Sequence, residues 1–544
     1  MVIPSSLTQV AQIAVQAIDA SATISAGGTG GASVFAGVVI CEKGQPFELI
    51  SINRKNWQTK LGKPYHPSKG VIADPLRQVG DAVAGGDGYV VRVVAEDAKY
   101  PVLTARLAPA VKALKAAKVA KEAEGEQPEL VAADTAQMNT SAEVFGTKPQ
   151  LADGDLFAIY PKDGDVSGRK IEMLPIEGKA GFFTLNLYEI DRLGASFLQE
   201  THEVSFDIEA VDDMGQPAYI ENRLESRSSA LAITIKPGVD LSAFPGATLS
   251  AFTGGTLGDQ SEIGAEQVAK AIAVLRSAMV GYTAVLGLGV YDSNSLAALA
   301  EVAEARRIDS FLDVPPSENY AGAVTFMEGM NLNNHYAAWY HFPYSAKDPY
   351  YGGRAVWGIS GIAFQAKAKG VAKVAGAVGG WHYSPAGEDR GVINRRECQP
   401  LAGIGELDEE AFYKARINKL GLTSGGLLMI DDAITSRSLN DYLRFQHVSS
   451  VMSSIARDFY ALARQIKHSP DGLTYDGLHK GMTDILDGYA TAKALVPPRN
   501  PDEDGESPYV LTVEQDDFDL WTVAWNVCVT GTSRRIMGTP GLIR

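Results

Sequence analysis

Asp313, His335 and Ser360 occur in the order Asp, His, Ser that one serine-hydrolase architecture uses. Order alone says little, because such a triad is defined by geometry. Ser360 lies in Gly358-Ile359-Ser360-Gly361, which is not the GxSxG elbow that presents a nucleophile. His335 and His341 share one face of an expected strand over 334–342, a spacing that suits two metal ligands. A third ligand is missing, and Tyr336, Trp339, Tyr340 and Phe342 around them point to packing. Asp163-Gly164-Asp165-Val166-Ser167-Gly168 opens like a calcium loop. The position that needs a bidentate Glu holds Leu174, so a turn is expected. Gly287-Leu288-Gly289 follows a strand and precedes a helix. A dinucleotide fingerprint needs Gly or Ala where Asp292 stands, and Asp292 or Ser293 suits a helix N-cap. No GxxxxGK[ST] motif occurs. Neither catalysis nor a metal nor a cofactor is expected.

The composition sets wider bounds. With 544 residues, a prior of about three to four domains applies. Apolar content of 45% and charged content of 21% are those of a folded protein with a sizeable core. The formal net charge of -16 argues against nucleic acid as a partner. No apolar run is long enough to span a membrane, and the start of the chain reads as no secretory leader. Cys41, Cys398 and Cys528 are scattered, without zinc spacing, as in a chain made in a reducing cytoplasm. Cys528 invites the question of a disulfide to a neighbour's Cys41 or Cys398; a reduced, packed thiol is the expectation.

The elements that would position any site follow from periodicity. Residues 1–30 form an expected arm that ends in a glycine-rich joint with Gly27, Gly28, Gly30 and Gly31. Strands at 34–41, 47–52 and 89–94 with a helix at 74–83 make a small α/β unit over 31–100. An Ala-, Lys- and Glu-rich helix is expected at 105–124, with Lys112, Lys115, Lys118 and Lys121 on a solvated face, then a polar loop to 150. Short strands at 156–160, 182–190, 204–210 and 231–235 make 101–240 a β-rich insertion. Residues 241–400 alternate helix and strand, the pattern of a parallel, layered sheet. Residues 401–530 are mostly helical, at 408–419, 438–467 and 474–494, with a short strand at 427–431. The fold class is therefore α/β (α+β) and multidomain, with extended terminal arms.

The end of the chain is the most informative part. Trp521, Val523, Trp525, Val527 and Val529 alternate with polar or small residues, the period of a strand with one apolar face. It reads either as a strand donated to a neighbour or as one limb of a hairpin over 509–530 whose free edge receives a neighbour's arm. Residues 531–544 are then a C-terminal arm. On helix 438–467, Arg457, Arg464 and Lys467 fall on one stripe, a basic exception in an acidic protein.

Phe311-Leu312-Asp313-Val314-Pro315-Pro316, then His335 to Tyr344, then Asp348-Pro349-Tyr350-Tyr351-Gly352-Gly353, then a helix from Ile359 to Lys369 follow Phe252-Thr253-Gly254-Gly255-Thr256-Leu257-Gly258-Asp259. In order and spacing this succession resembles the tail sheath proteins of contractile-tailed (myovirus-type) bacteriophages and related contractile injection particles. The resemblance spans 31–100 and 245–544. The family's glycine-aspartate-glycine turn stands here as Gly255-Thr256-Leu257-Gly258-Asp259, and its Pro-Pro-Ser-Gly helix start as Trp357-Gly358-Ile359-Ser360-Gly361. It implies a structural, non-enzymatic subunit of a virion tail, made in the host cytoplasm. Such subunits form a six-fold helical sheath around a tail tube, joined to a baseplate and to terminator or neck proteins. Contraction drives the tube through the host envelope for genome ejection. It also implies that helices near the C-terminus face the tube, which would put Arg457, Arg464 and Lys467 there. Another tail or baseplate component is the alternative, and a hydrolase the remoter one.

Overall fold

The computed structural model describes residues 2–3, 24–25, 33–106, 136–190, 194–241, 244–376, 378–535 and 537. The joint Gly27, Gly28, Gly30 and Gly31 lies outside the described residues. The chain divides into two compact units. One comprises residues 1–41, 47–93 and 264–544, and the other residues 42–46 and 94–263.

The first unit is built on a seven-stranded sheet. Its order is Ile417–Asn418, Ala337–Tyr340, Asp309–Asp313, Ala284–Leu286, Phe35–Ile40, Gly88–Val93, Leu49–Ile52. All neighbours are parallel except the last pair, where Leu49–Ile52 runs against Gly88–Val93. The alternation of helix and strand after 264 forces this layering, since a parallel crossover needs a helix to return the chain. Helices Ala265–Ser277, Ser293–Arg306, Tyr320–Met330 and Ser360–Val371 supply it. The small α/β unit expected over 31–100 is not a separate body. Its three strands complete the sheet begun at 284, because Phe35–Ile40 pairs with Ala284–Leu286. Phe35, Val39, Leu76, Val90, Leu286, Phe311, Tyr340 and Phe364 share one core. Burial of such side chains contributes about 1.5–3 kcal/mol each.

In the second unit two four-stranded antiparallel sheets share a core of Phe157, Leu185, Leu187, Phe244 and Phe252. The strands at Asp155–Pro161, Phe182–Ile190 and Leu231–Ile235 fall where alternation places them. Three readings change. Residues 105 and 106 end a strand, Lys99–Arg106, and the rest of the expected helix to 124 lies outside the described residues. The polar stretch before 150 holds the strand Gln137–Val144, paired along the whole of Lys99–Arg106, so ladder bonds outweigh its polar composition. The strand expected at 204–210 is Ser196–Ser205, set by its register against Phe182–Ile190.

The C-terminal part has a pair of 21-residue helices, Gln446–Ile466 and Asp471–Thr491, and then a hairpin, Tyr509–Asp517 with Leu520–Val527. The helix expected over 408–419 is short, Glu409–Lys414, and gives way to the sheet strand Ile417–Asn418.

Candidate assembly surface

The hairpin is positioned by its own apolar face. Its register sets Tyr509 opposite Val527, Leu511 opposite Trp525 and Val513 opposite Val523, so three apolar pairs stack on one side. Tyr509, Leu511, Val523, Trp525, Val527 and Val529 pack on Val451, Ile455, Phe459, Met482, Leu486 and Tyr489 of the helix pair. The Trp525 ring lies 4.9 Å from Phe459, and Trp521 lies 6.3 Å from Tyr475. Two tyrosine hydroxyls tie the layer together, one buried and one at the surface. Tyr489 donates to Asp458 at 2.7 Å and approaches Ser454 at 2.6 Å. Tyr509 donates to Asp487 at 2.6 Å, and burial, then that carboxylate, push its phenol up to about 12.

The donated-strand reading of Trp521, Val523, Trp525, Val527 and Val529 is corrected by this packing. Those side chains face the chain's own helices and stay half-buried there. What remains for a neighbour is backbone. Among the described residues the hairpin carries no third strand along Tyr509–Asp517 or Leu520–Val527. An unpaired edge presents a row of N–H and C=O groups that another strand can complete. The outward face holds Val510, Thr512, Glu514 and Thr522, and the turn exposes Phe518 among Asp516, Asp517 and Asp519.

The basic stripe also changes. Arg457 is 5% exposed, donates to the Arg307 carbonyl at 2.9 Å and stacks on Trp381 at 5.1 Å. It is an internal tie and not a surface charge. Only Arg464 is exposed, while Lys467 is half-buried at the helix end. The sequence missed this because the long helix is buried on more than one side, so a seven-residue spacing did not keep Arg457 in solvent.

Of the would-be catalytic residues, Asp313 and Ser360 meet and His335 is kept apart. Asp313 ends its strand opposite Tyr340, and Ser310 pairs with Ala337, so His335 sits beyond the other end of that ladder. The strand itself covers only Ala337–Tyr340, and the two histidines flank it instead of sharing its face. The His335 ring lies against Tyr336 at 4.0 Å. Ser360 donates its hydroxyl to Gln78, and the Asp313 carboxylate accepts from Ile359 N at 2.8 Å and Ser360 N at 3.0 Å. Burial, then the charge of Asp74, raises Asp313 to about 7. Asp74 in turn accepts from Tyr291, Gly358 and Gln78. This network caps a helix and joins it to residues 74–78.

Other motifs resolve as structure. Arg169 grips both Asp163 oxygens, at 3.0 and 2.7 Å, and Lys43 meets Asp165 at 2.9 Å, so side-chain cations fill the loop that resembled a calcium site. Among the described residues no group of metal-ligating side chains comes together. Asp292 is the N-cap of Ser293–Arg306 and accepts from Ser295 N at 2.8 Å. Cys41 is buried, which removes it from contact with a neighbour's Cys528; Cys398 and Cys528 are partly exposed. No helix among the described residues is long and apolar enough to cross a membrane.

No protein-family model matches the sequence, and no curated protein matches it. Solved structures do. A sheath tail protein from Listeria innocua superimposes with a TM-score of 0.51 at 11% identity, covering 91% of this chain and 94% of that one. A sheath tail protein from Desulfitobacterium hafniense gives 0.49 at 10% identity, with 91% and 96% covered. The sheath complex of an extracellular contractile injection system in its contracted state gives 0.39 at 13% identity, covering 50% of this chain and 73% of that one. The chain has the fold of the Listeria innocua sheath tail protein, a mixed α/β architecture shared over nearly the full length of both.

Proposed function

We propose that this chain is a structural subunit of a contractile tail sheath, without enzymatic activity. Copies polymerise as a six-fold helical sheath around a tail tube and contract to drive the tube through a host envelope. The observation that carries this reading is a sheath fold combined with a two-stranded hairpin whose backbone edges are unpaired among the described residues. Helical, non-closing assembly needs different patches on the two sides of one subunit. A hairpin edge and a terminal segment are two different patches of the kind that need calls for. Strand addition joins copies through main-chain bonds, which survive a rotation of the bodies they connect. The partners are further copies, the tube protein, and baseplate and terminator or neck proteins. Arg464 and Lys467, at the end of the long helix, are the proposed tube contacts. The setting is the tail of a virion, after assembly in the host cytoplasm.

Electron microscopy of purified protein tests the reading. Tubes of stacked rings are expected from the full chain. Removal of 1–26 or of 531–544 is expected to leave a folded monomer that no longer polymerises, by circular dichroism and sedimentation. Discrete closed oligomers from the full chain would point to a baseplate component, and tubes from both truncated chains would refute strand exchange.

A further inference from the structure

The chain that leaves the hairpin is fastened at successive points. Cys528 N donates to the Pro508 carbonyl at 2.9 Å, Val496 N to the Cys528 carbonyl at 3.0 Å, and Thr530 N to the Ala494 carbonyl at 2.9 Å. The His447 ring nitrogen Nε2 lies 3.2 Å from the Thr530 carbonyl. Residues 494–496 thus pair with residues 528–530, past the end of strand Leu520–Val527, around the isolated bridge between Leu495 and Val529.

The next tie is made by side chains alone. Arg534 grips Asp432 with two prongs: Nε donates to Oδ1 at 2.9 Å and Nη2 to Oδ2. The guanidinium lies 5.2 Å from the Phe445 ring centre and 5.5 Å from that of Tyr413. Tyr413 belongs to helix Glu409–Lys414, Asp432 follows strand Leu428–Ile430, and Phe445 is the N-cap of the long helix. One side chain on the departing segment therefore touches three elements of the body. The pair is only partly covered, with 28% of the Arg534 side chain and 12% of the Asp432 side chain exposed. Arg444 stacks on the same Tyr413 ring at 4.7 Å, and burial, then the charge of Arg534, lowers its pKa. Two like charges at one ring oppose each other, and Asp432 is the carboxylate that Arg534 grips there. A planar fork on a carboxylate between aromatic rings is a directional contact that lysine would not reproduce. Its partial exposure leaves it open to competition and to screening by salt.

We infer that Arg534 and Asp432 form a releasable anchor, which fixes where the C-terminal segment leaves the body. The inference rests on the assembly reading for its purpose, because the segment that follows the anchor is what a second copy would receive. Among the described residues, opening the anchor moves the last tie back to Thr530. That frees residues 531–534, about 13–14 Å of extended chain. Slack of this size lets a link between copies persist while their spacing changes.

Trypsin tests the anchor on soluble full-length chain. The bond after Arg535 is the reporter, since cleavage follows the population of the opened segment. Arg534→Gln and Asp432→Asn are each expected to raise that cleavage rate about tenfold. Cleavage within the helix pair, after Arg457, Arg464 or Lys480, should stay unchanged. The exchanged pair, Arg534→Asp with Asp432→Arg, is expected to restore much of the protection. Raising salt should speed cleavage of the parent chain and not of Arg534→Gln. An unchanged rate in both single variants overturns the anchor, as does cleavage that rises equally inside the helix pair. The result does not depend on tubes: a parent chain that never polymerises defeats the sheath reading and leaves this measurement standing.

Discussion

At the scale of single residues, chemistry-bearing side chains serve as internal ties. His341 is buried against Tyr320 and Phe412, and burial lowers its pKa from 6.5 to about 4. His382 and His447 are shifted in the same direction, to about 4 and about 3. Each is held neutral by the fold and takes up a proton more readily when unfolded. Their contribution is therefore complete above pH 6.5 and is lost as pH falls from 6.5 toward 4. Asp313 has the opposite sign: its raised pKa makes its contribution fade as pH rises from 3.8 through about 7. A difference measurement separates the two. His341→Phe should flatten the acid side of the stability curve by one proton, about 1.4 kcal/mol per pH unit between pH 6.5 and 4. Urea titrations of both proteins across that range check it, and parallel curves would mean that His341 does not titrate there. The sequence supplied the identity of these residues and the aromatic company of His341. It could not supply distances, so the triad order of Asp313, His335 and Ser360 said little, and the strand register sets His335 apart from the other two.

At the scale of elements, alternation was legible wherever one face meets a core. The hairpin limbs carry their apolar residues at the period of two expected of them, and the helix pair follows its own periodicity. What covers the apolar face was not legible, because an apolar stripe looks the same whether the chain or a neighbour covers it. Helix packing shows the same limit. Helix Ser360–Val371 runs so close to helix Pro75–Ala82 that a Cβ on Gly361 would lie 2.3 Å from the Gln78 carbonyl oxygen. Backbone cannot step aside as a side chain can. Gly361→Ala is expected to destabilise the chain by about 1–3 kcal/mol through overpacking. Thermal unfolding measures this, and an unchanged midpoint would show that the two helices can separate freely.

At the scale of the whole molecule, the chain contains two compact units, and one is interrupted by the other. The inserted unit has its own core, and Lys43 joins it by pairing with Asp165 at 2.9 Å. A fragment of residues 94–263 is expected to fold alone and to melt in one cooperative transition. It should be weaker than in the full chain, since without Lys43 the buried Asp165 loses one of two cationic partners and keeps Arg169, at 3.0 Å. Calorimetry and dispersed amide spectra check this, and a fragment without them would show that the core is incomplete. By itself the sequence determined the α/β class, the β-rich module, the period-two strand at the C-terminal end and the acidic charge, because composition and local period depend on near neighbours along the chain. Only the tertiary structure decided that residues 35–93 share a sheet with residues 284–418, that Arg457 is inside, and that Arg534 meets Asp432. Those facts join positions far apart in sequence, and no local period carries the distance between them.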